Sequence, residues 1–177
     1  MRTVAPARWF SREFAFDLDL SAYPNVVERV RGTPARLEER VRGLNPTTLT
    51  TRVGDRWSIQ ENVGHLLDLE ALWLGRLDDF EAGAERLRAA DLMNRATDDA
   101  DHNSADLSEL LARFRRQRAT FVARLDAYDE AFIARAALHP RLTQSMRVLD
   151  HVLFVAEHDD HHLATITALI GELNATR

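Results

Sequence analysis

Apolar residues along the chain recur at intervals of three and four, with little strict alternation, and glycine and proline rarely interrupt them. That period predicts helices lying on a shared core. The sharpest start signal is Ser58-Ile59-Gln60-Glu61, where Ser58 can accept from a free helix N–H while Glu61 reaches back, a capping box. A helix is predicted from about Ser58 to about Glu81. Its apolar face, Val63, Leu66, Leu67, Leu69, Leu72, Trp73 and Leu77, is broad enough to meet two neighbours. Before it, Tyr23 to Leu44 shows the same period through Val26, Val27, Val30, Leu37 and Val41, with a kink or restart expected at Gly32-Thr33-Pro34. A third helix follows from Asp106-Leu107-Ser108-Glu109 to about Tyr128, and a fourth from near Thr143 to Ser145 through to Leu173. Four long helices and no strand pattern predict an all-α four-helix bundle.

The connections add detail. Ala84 to Ser104 is about 20 residues of acidic, small and polar character, far more than a tight helix pair needs, and long enough for a crossover along the bundle. Arg135 to Thr143, with His139-Pro140, reads as an ordinary turn. The opening Trp9-Phe10 and Phe14 to Phe16 cluster is too apolar for a free tail, so residues 1–22 are expected to pack on the bundle or on a partner subunit.

A length of 177 residues fits one domain, 1–177. No apolar run is long enough to span a bilayer, and Met1 to Phe16 lacks the apolar stretch of a signal peptide, so a cytoplasmic protein without membrane contact is expected. The absence of cysteine excludes disulfides, a protein thiolate nucleophile and cysteine-held zinc or iron–sulfur clusters. A metal must therefore use His, Asp or Glu. Every basic residue is Arg, which excludes a Schiff-base lysine and the lysine of a phosphate-binding loop. The net charge of −5 argues against nucleic acid as a partner. The run Arg113, Arg115, Arg116, Arg118 and Arg124 on the third helix reads as a solvated face.

Four of the seven histidines fall between His151 and His162, within the fourth helix. Residues four apart share a helix face, so His158 and His162 can aim both imidazoles at one ion. His161, three from His158, fits the spacing too; the inward stripe shared with His151, Val155 and Leu169 favours His162. The third ligand must come from a facing helix, and His65, midway along the apolar second helix, is the candidate. A single histidine on an apolar face is commonly a hydrogen-bonded core residue, but a pair plus a third points to metal. Asp159 and Asp160 read as a solvated face, and His102 and His139 as surface residues. The Glu-x-x-His signature of di-iron bundles is absent, since Glu61 and His65 are four apart and Glu157 adjoins His158.

Two segments carry a family resemblance: Arg56-Trp57-Ser58-Ile59-Gln60-Glu61-Asn62-Val63-Gly64-His65-Leu66, and Ala156-Glu157-His158-Asp159-Asp160-His161-His162-Leu163. In order and spacing they resemble the DinB/YfiT-like superfamily of metalloenzymes, over about Tyr23 to Leu173. The resemblance implies a four-helix bundle with a long crossover between helices two and three, often as a homodimer. It also implies a divalent transition metal, zinc or nickel most often, on one His of helix two and an H-x-x-x-H pair of helix four: His65, His158 and His162. Characterised members include transferases and isomerases dependent on a low-molecular-weight thiol, and others are described as hydrolases. The family name refers to damage-inducible expression and implies no DNA binding.

The chemistry that follows is activation of water or a low-molecular-weight thiol by the bound ion, for transfer or hydrolysis on a small-molecule substrate. Glu61, one turn before His65, and Asp68, nearly one turn after it, are candidates to orient the ligands or accept a proton. The rival reading is a non-catalytic, stress-linked bundle that binds a metal or ligand. The two differ at the metal: an enzyme needs an open pocket, whereas a structural site would be closed by a fourth protein ligand such as Asp159 or Asp160.

Overall fold

The structure, a computed structural model, describes residues 7–175. The rest of the N-terminal segment, residues 1–6, lies outside the described residues. Four long rods form the bundle: α1 (Tyr23–Val41), the pair α3 (Ile59–Asp68) and α4 (Glu70–Glu81), α6 (Leu107–Asp126) and α8 (Val148–Ala175). Shorter pieces connect them: α2 (Pro46–Thr50), α5 (Arg95–Asp99), α7 (Glu130–Ile133), and the strands β1 (Ala136–His139) and β2 (Gln144–Arg147). Helix α1 packs chiefly against α8 and α6, and the α3–α4 rod packs against the same two. The first and second rods thus sit diagonally, as do the third and fourth, and the long link from Ala82 to Asp106 carries the chain between adjacent positions.

Three helical boundaries depart from expectation. The second helix is two, because the chain turns at Leu69, whose N–H bonds the carbonyls of His65 and Leu67. Helix α1 runs unbroken through Gly32-Thr33-Pro34. Proline cannot donate to the carbonyl four residues back, and the carbonyl left over, that of Val30, accepts from Nη1 of Arg118 at 3.0 Å instead. The expected turn at 135–143 is an antiparallel hairpin, with Ala136 opposite Arg147 and His139 opposite Gln144, so α8 begins only at Val148. Four-residue strands are too short to show alternation against a helical background. The crossover adds to this hairpin, since Leu138 N–H bonds Glu85 O at 2.8 Å and its carbonyl takes Leu87 N–H at 3.0 Å.

The core falls into two apolar clusters. One holds Tyr23, Val30, Trp73, Phe121, Leu149 and Val155, and the other Leu37, Val63, Leu66, Phe114, Ile166 and Leu169. Between them each rod contributes a buried polar residue to one network: Thr33, Glu70, Arg118 and Asp159, none more than 1 % exposed. Arg118 donates to Glu70 Oε1 through Nε and Nη2 (3.0 and 2.6 Å), and pairs with both oxygens of Asp159. Thr33 Oγ1 donates to Asp159 Oδ2 at 2.6 Å. Two expectations are corrected here. Arg118 and Asp159 are not solvated; they face each other across the core, which a single chain pattern cannot reveal. Arg115 and Arg116 do form exposed pairs, with Glu38 and Glu109.

The N-terminal segment lies on the bundle, with Trp9, Phe14, Phe16 and Leu18 against the first core cluster. Arg147 Nη2 holds it by donating to Leu18 O at 3.0 Å. No helix among the described residues is long and apolar enough to cross a membrane.

Candidate metal centre

The capping box starts α3 as its sequence requires: Ser58 Oγ accepts from Glu61 N–H at 3.1 Å, and Glu61 Oε2 accepts from Ser58 N–H at 2.7 Å. This fixed start sets the rotation of α3, which turns His65 inward to face His158 and His162 on α8. One nitrogen from each of the three buried rings lies within 4.8 Å of the others. The Nε2 atoms of His65 and His158 are 3.4 Å apart. His161 is not in this group; its ring lies 5.7 Å from that of Trp9.

The tautomers of two rings follow from their partners. Asn62 donates through Nδ2 to Ser58 O at 2.7 Å, which leaves its Oδ1 to accept from His162 Nδ1–H at 2.8 Å. Thr97 Oγ1 gives its proton to Asp68 Oδ2 at 2.8 Å and therefore accepts from His65 Nδ1–H at 3.0 Å. In both rings the proton sits on Nδ1, so Nε2 presents a lone pair. Nδ1 of His158 is buried without a hydrogen-bond partner among the described residues. Burial depresses all three pKa values, His65 to about 4 and the other two well below the ordinary 6.5, with the neighbouring imidazoles adding to the effect for His158 and His162. Two Nε2 lone pairs thus converge beside the neutral ring of His158, and a divalent cation between the three imidazoles would satisfy them. The donor set fits a transition ion.

Asp68 joins the cluster through Thr97 and also accepts from His102 Nε2 at 2.8 Å. Glu61 goes elsewhere: burial pushes its carboxyl up, but Arg52 and the Ser58 amide hold it below its ordinary value. The positions of Asn62 and Thr97 went unread in the sequence. Asn62, three residues before His65 on an otherwise apolar stretch, offered a faint signal, and Thr97, in the crossover, offered none. His102 and His139, expected at the surface, are 5 % and 2 % exposed. Both belong to the connections between rods, which cover them in a way helical periodicity does not report. His151 is a core residue, its Nε2 donating to Trp73 O at 3.3 Å.

A cavity of ≈1590 Å³ opens onto the three imidazoles, walled by Trp9, Trp57, Leu72, Trp73 and Phe154 among others. The acids adjacent to the cluster are turned away: Asp159 to Arg118 and Asp160 to Arg29 and Arg36. Neither closes the site as a fourth ligand.

The sequence profile of the DinB superfamily matches residues 29–166. Among solved structures the chain is similar to YfiT from Bacillus subtilis, described as a probable metal-dependent hydrolase with an unusual four-helix bundle topology. The TM-score is 0.81 at 19 % identity, covering 92 % of this chain and 94 % of that one. It is also similar to a protein from Streptococcus pneumoniae (TM-score 0.65, 12 % identity, 82 % and 88 % covered). A third likeness is to a mycothiol-dependent maleylpyruvate isomerase (TM-score 0.65, 10 % identity), covering 84 % of this chain and 60 % of that one. No curated protein matches the chain by sequence.

Proposed function

The chain belongs to the DinB superfamily, and from that premise we propose that it is a metal-dependent enzyme acting on a small molecule in the cavity. His65, His158 and His162 hold a divalent transition ion, zinc or nickel. The observation that carries this reading is the convergence of three neutral imidazoles, two of them fixed in the ligand tautomer by Asn62 and Thr97. When bound, such an ion supplies a Lewis acid that brings the pKa of water or of a low-molecular-weight thiol toward neutrality. The likeness to a described metal-dependent hydrolase supports the use of water, and that to a mycothiol-dependent isomerase the use of a thiol.

The chain's own residues have separable tasks. Asn62 and Thr97 orient His162 and His65, and Asp68, through Thr97, makes His65 a better electron donor. Asp68 is itself held by accepting from Thr97 and His102, while Glu61 acts on the site only by fixing the start of α3. Trp57 and Trp9 exclude bulk water from two sides, their rings 4.7 and 4.9 Å from those of His65 and His158. The protein works in the cytoplasm as a homodimer, binding neither nucleic acid nor membrane.

The test is metal content per chain after purification without a chelating tag. His65→Ala, His158→Ala and His162→Ala should lose the ion and His161→Ala should keep it. A wild-type chain that takes up no divalent ion after reconstitution overturns the reading. Turnover of electrophilic substrates with and without added thiol then separates transferase from hydrolase.

A further inference from the structure

Besides the three imidazoles, residues lining the same cavity carry four N–H donors with no acceptor among the described residues. Arg76 is 1 % exposed, and its Nε donates weakly to Arg88 O at 3.3 Å while its Nη1 has no partner. Arg141 lies over the rings of Phe10 and Phe154, 5.4 and 5.9 Å from their centroids, with Nη2 unpartnered. His139 Nδ1 accepts from Leu142 N–H at 3.1 Å, which puts its proton on Nε2, and that atom is unpartnered as well. The indole Nε1 of Trp73 is the fourth. All four residues line the cavity. Buried polar groups in folded proteins are paired with few exceptions, so four on residues lining one cavity call for a ligand.

Among the described residues no carboxylate answers them. The acid nearest in charge to Arg76 is Asp79, and both its oxygens are occupied by the backbone N–H, Nε and Nη2 of Arg88. Burial lowers the pKa of Arg76 to about 10 against the pull of Asp79, and the guanidiniums of Arg141 and Arg88 lower it further. Two cations and a donating imidazole around one cavity, with no counter-ion among the described residues, have the composition of an anion site.

We propose that Arg76, Arg141, His139 and Trp73 bind the carboxylate of an apolar carboxylic acid, whose remainder extends along the cavity toward the three imidazoles. A carboxylate offers about four lone-pair sites, matching the four donors. The walls between the two ends are aromatic and aliphatic, which favours a single charge on an apolar body over a phosphate dianion. Trp73 spans the interval: its ring lies 5.5 Å from Cζ of Arg76 and 5.6 Å from the ring of His158. The reaction at the imidazole end rests on the proposed function; the anion site itself does not.

The experiment is titration of metal-free protein with 3-phenylpropionate, beside 3-phenylpropanamide and inorganic phosphate, followed by calorimetry. The acid should bind, and the amide and phosphate should bind at least roughly tenfold more weakly. Arg141→Gln should weaken the acid by roughly tenfold to a hundredfold and Arg141→Lys by less. Because Arg76→Met risks the fold, it is interpreted only if circular dichroism matches the wild type. Equal binding of acid and amide, tighter binding of phosphate, or no loss in Arg141→Gln overturns the proposal. Metal content of Arg141→Gln, expected to equal that of the wild type, keeps this outcome distinct from failure of the metal site.

Discussion

Pro34 and Arg118 complement each other across the bundle: the proline ring leaves the Val30 carbonyl without its helical donor, and the guanidinium supplies one. Arg118 also neutralises Glu70 and Asp159, so its removal would strand two buried carboxylates. Arg118→Leu should therefore lower the free energy of unfolding by about 3–5 kcal/mol, measured by urea denaturation. Pro34→Ala restores a backbone donor to Val30. In a double-variant cycle it should recover a measurable part of that loss, and strict additivity would count against the link.

Asn62→Leu and Thr97→Val each remove the acceptor that fixes an imidazole tautomer. Metal affinity should fall about 10- to 100-fold in each, with the fold retained. Competition with a chromophoric chelator reads the change directly.

Gly64 admits the ring of His102 onto its backbone, where an added Cβ would meet Cδ2 at 2.2 Å. Gly64→Ala must displace that ring, loosening its bond to Asp68 and so the Asp68–Thr97–His65 chain. The expected cost is about 1–3 kcal/mol of stability, with weaker metal binding that Gly64→Ala/His102→Ala does not share to the same degree.

Burial, reinforced by the nearby charge of Arg76, lowers the pKa of His151 to about 3 from the ordinary 6.5. The unfolded chain then takes a proton at this position before the folded one does. Stability from the neutral ring is complete above pH 6.5 and is lost as pH falls from there toward 3. A single group contributes a slope of up to about 1.4 kcal/mol per pH unit. In metal-free protein, His151→Leu should flatten the dependence across that window, and an unchanged slope would show that the ring is solvated.

What the chain pattern revealed was local in sequence. The Ser58–Glu61 box and the His158/His162 pair span one helical turn, so their geometry follows from 3.6 residues per turn alone. The convergence of His65 on that pair required the facing helix, which apolar periodicity also indicates. Thr33, Glu70, Arg118 and Asp159 were illegible by the same logic: a single polar residue in an apolar helix pattern resembles a surface position until its partners on three other rods are known. His102 and His139 were misplaced because loops, not helix faces, bury them. The four donors around Arg76 come from α4, β1 and the hairpin turn, brought together only by the fold.

The three tryptophans of the chain are Trp9, Trp57 and Trp73, and each packs within 6 Å of a ring of the histidine cluster, at 4.9, 4.7 and 5.6 Å. They come from three separate parts of the chain: the N-terminal segment, the turn before α3, and α4. Intrinsic tryptophan fluorescence of this protein therefore reports on the surroundings of the imidazoles, and their ionisation or ligation should be visible in emission without any introduced label.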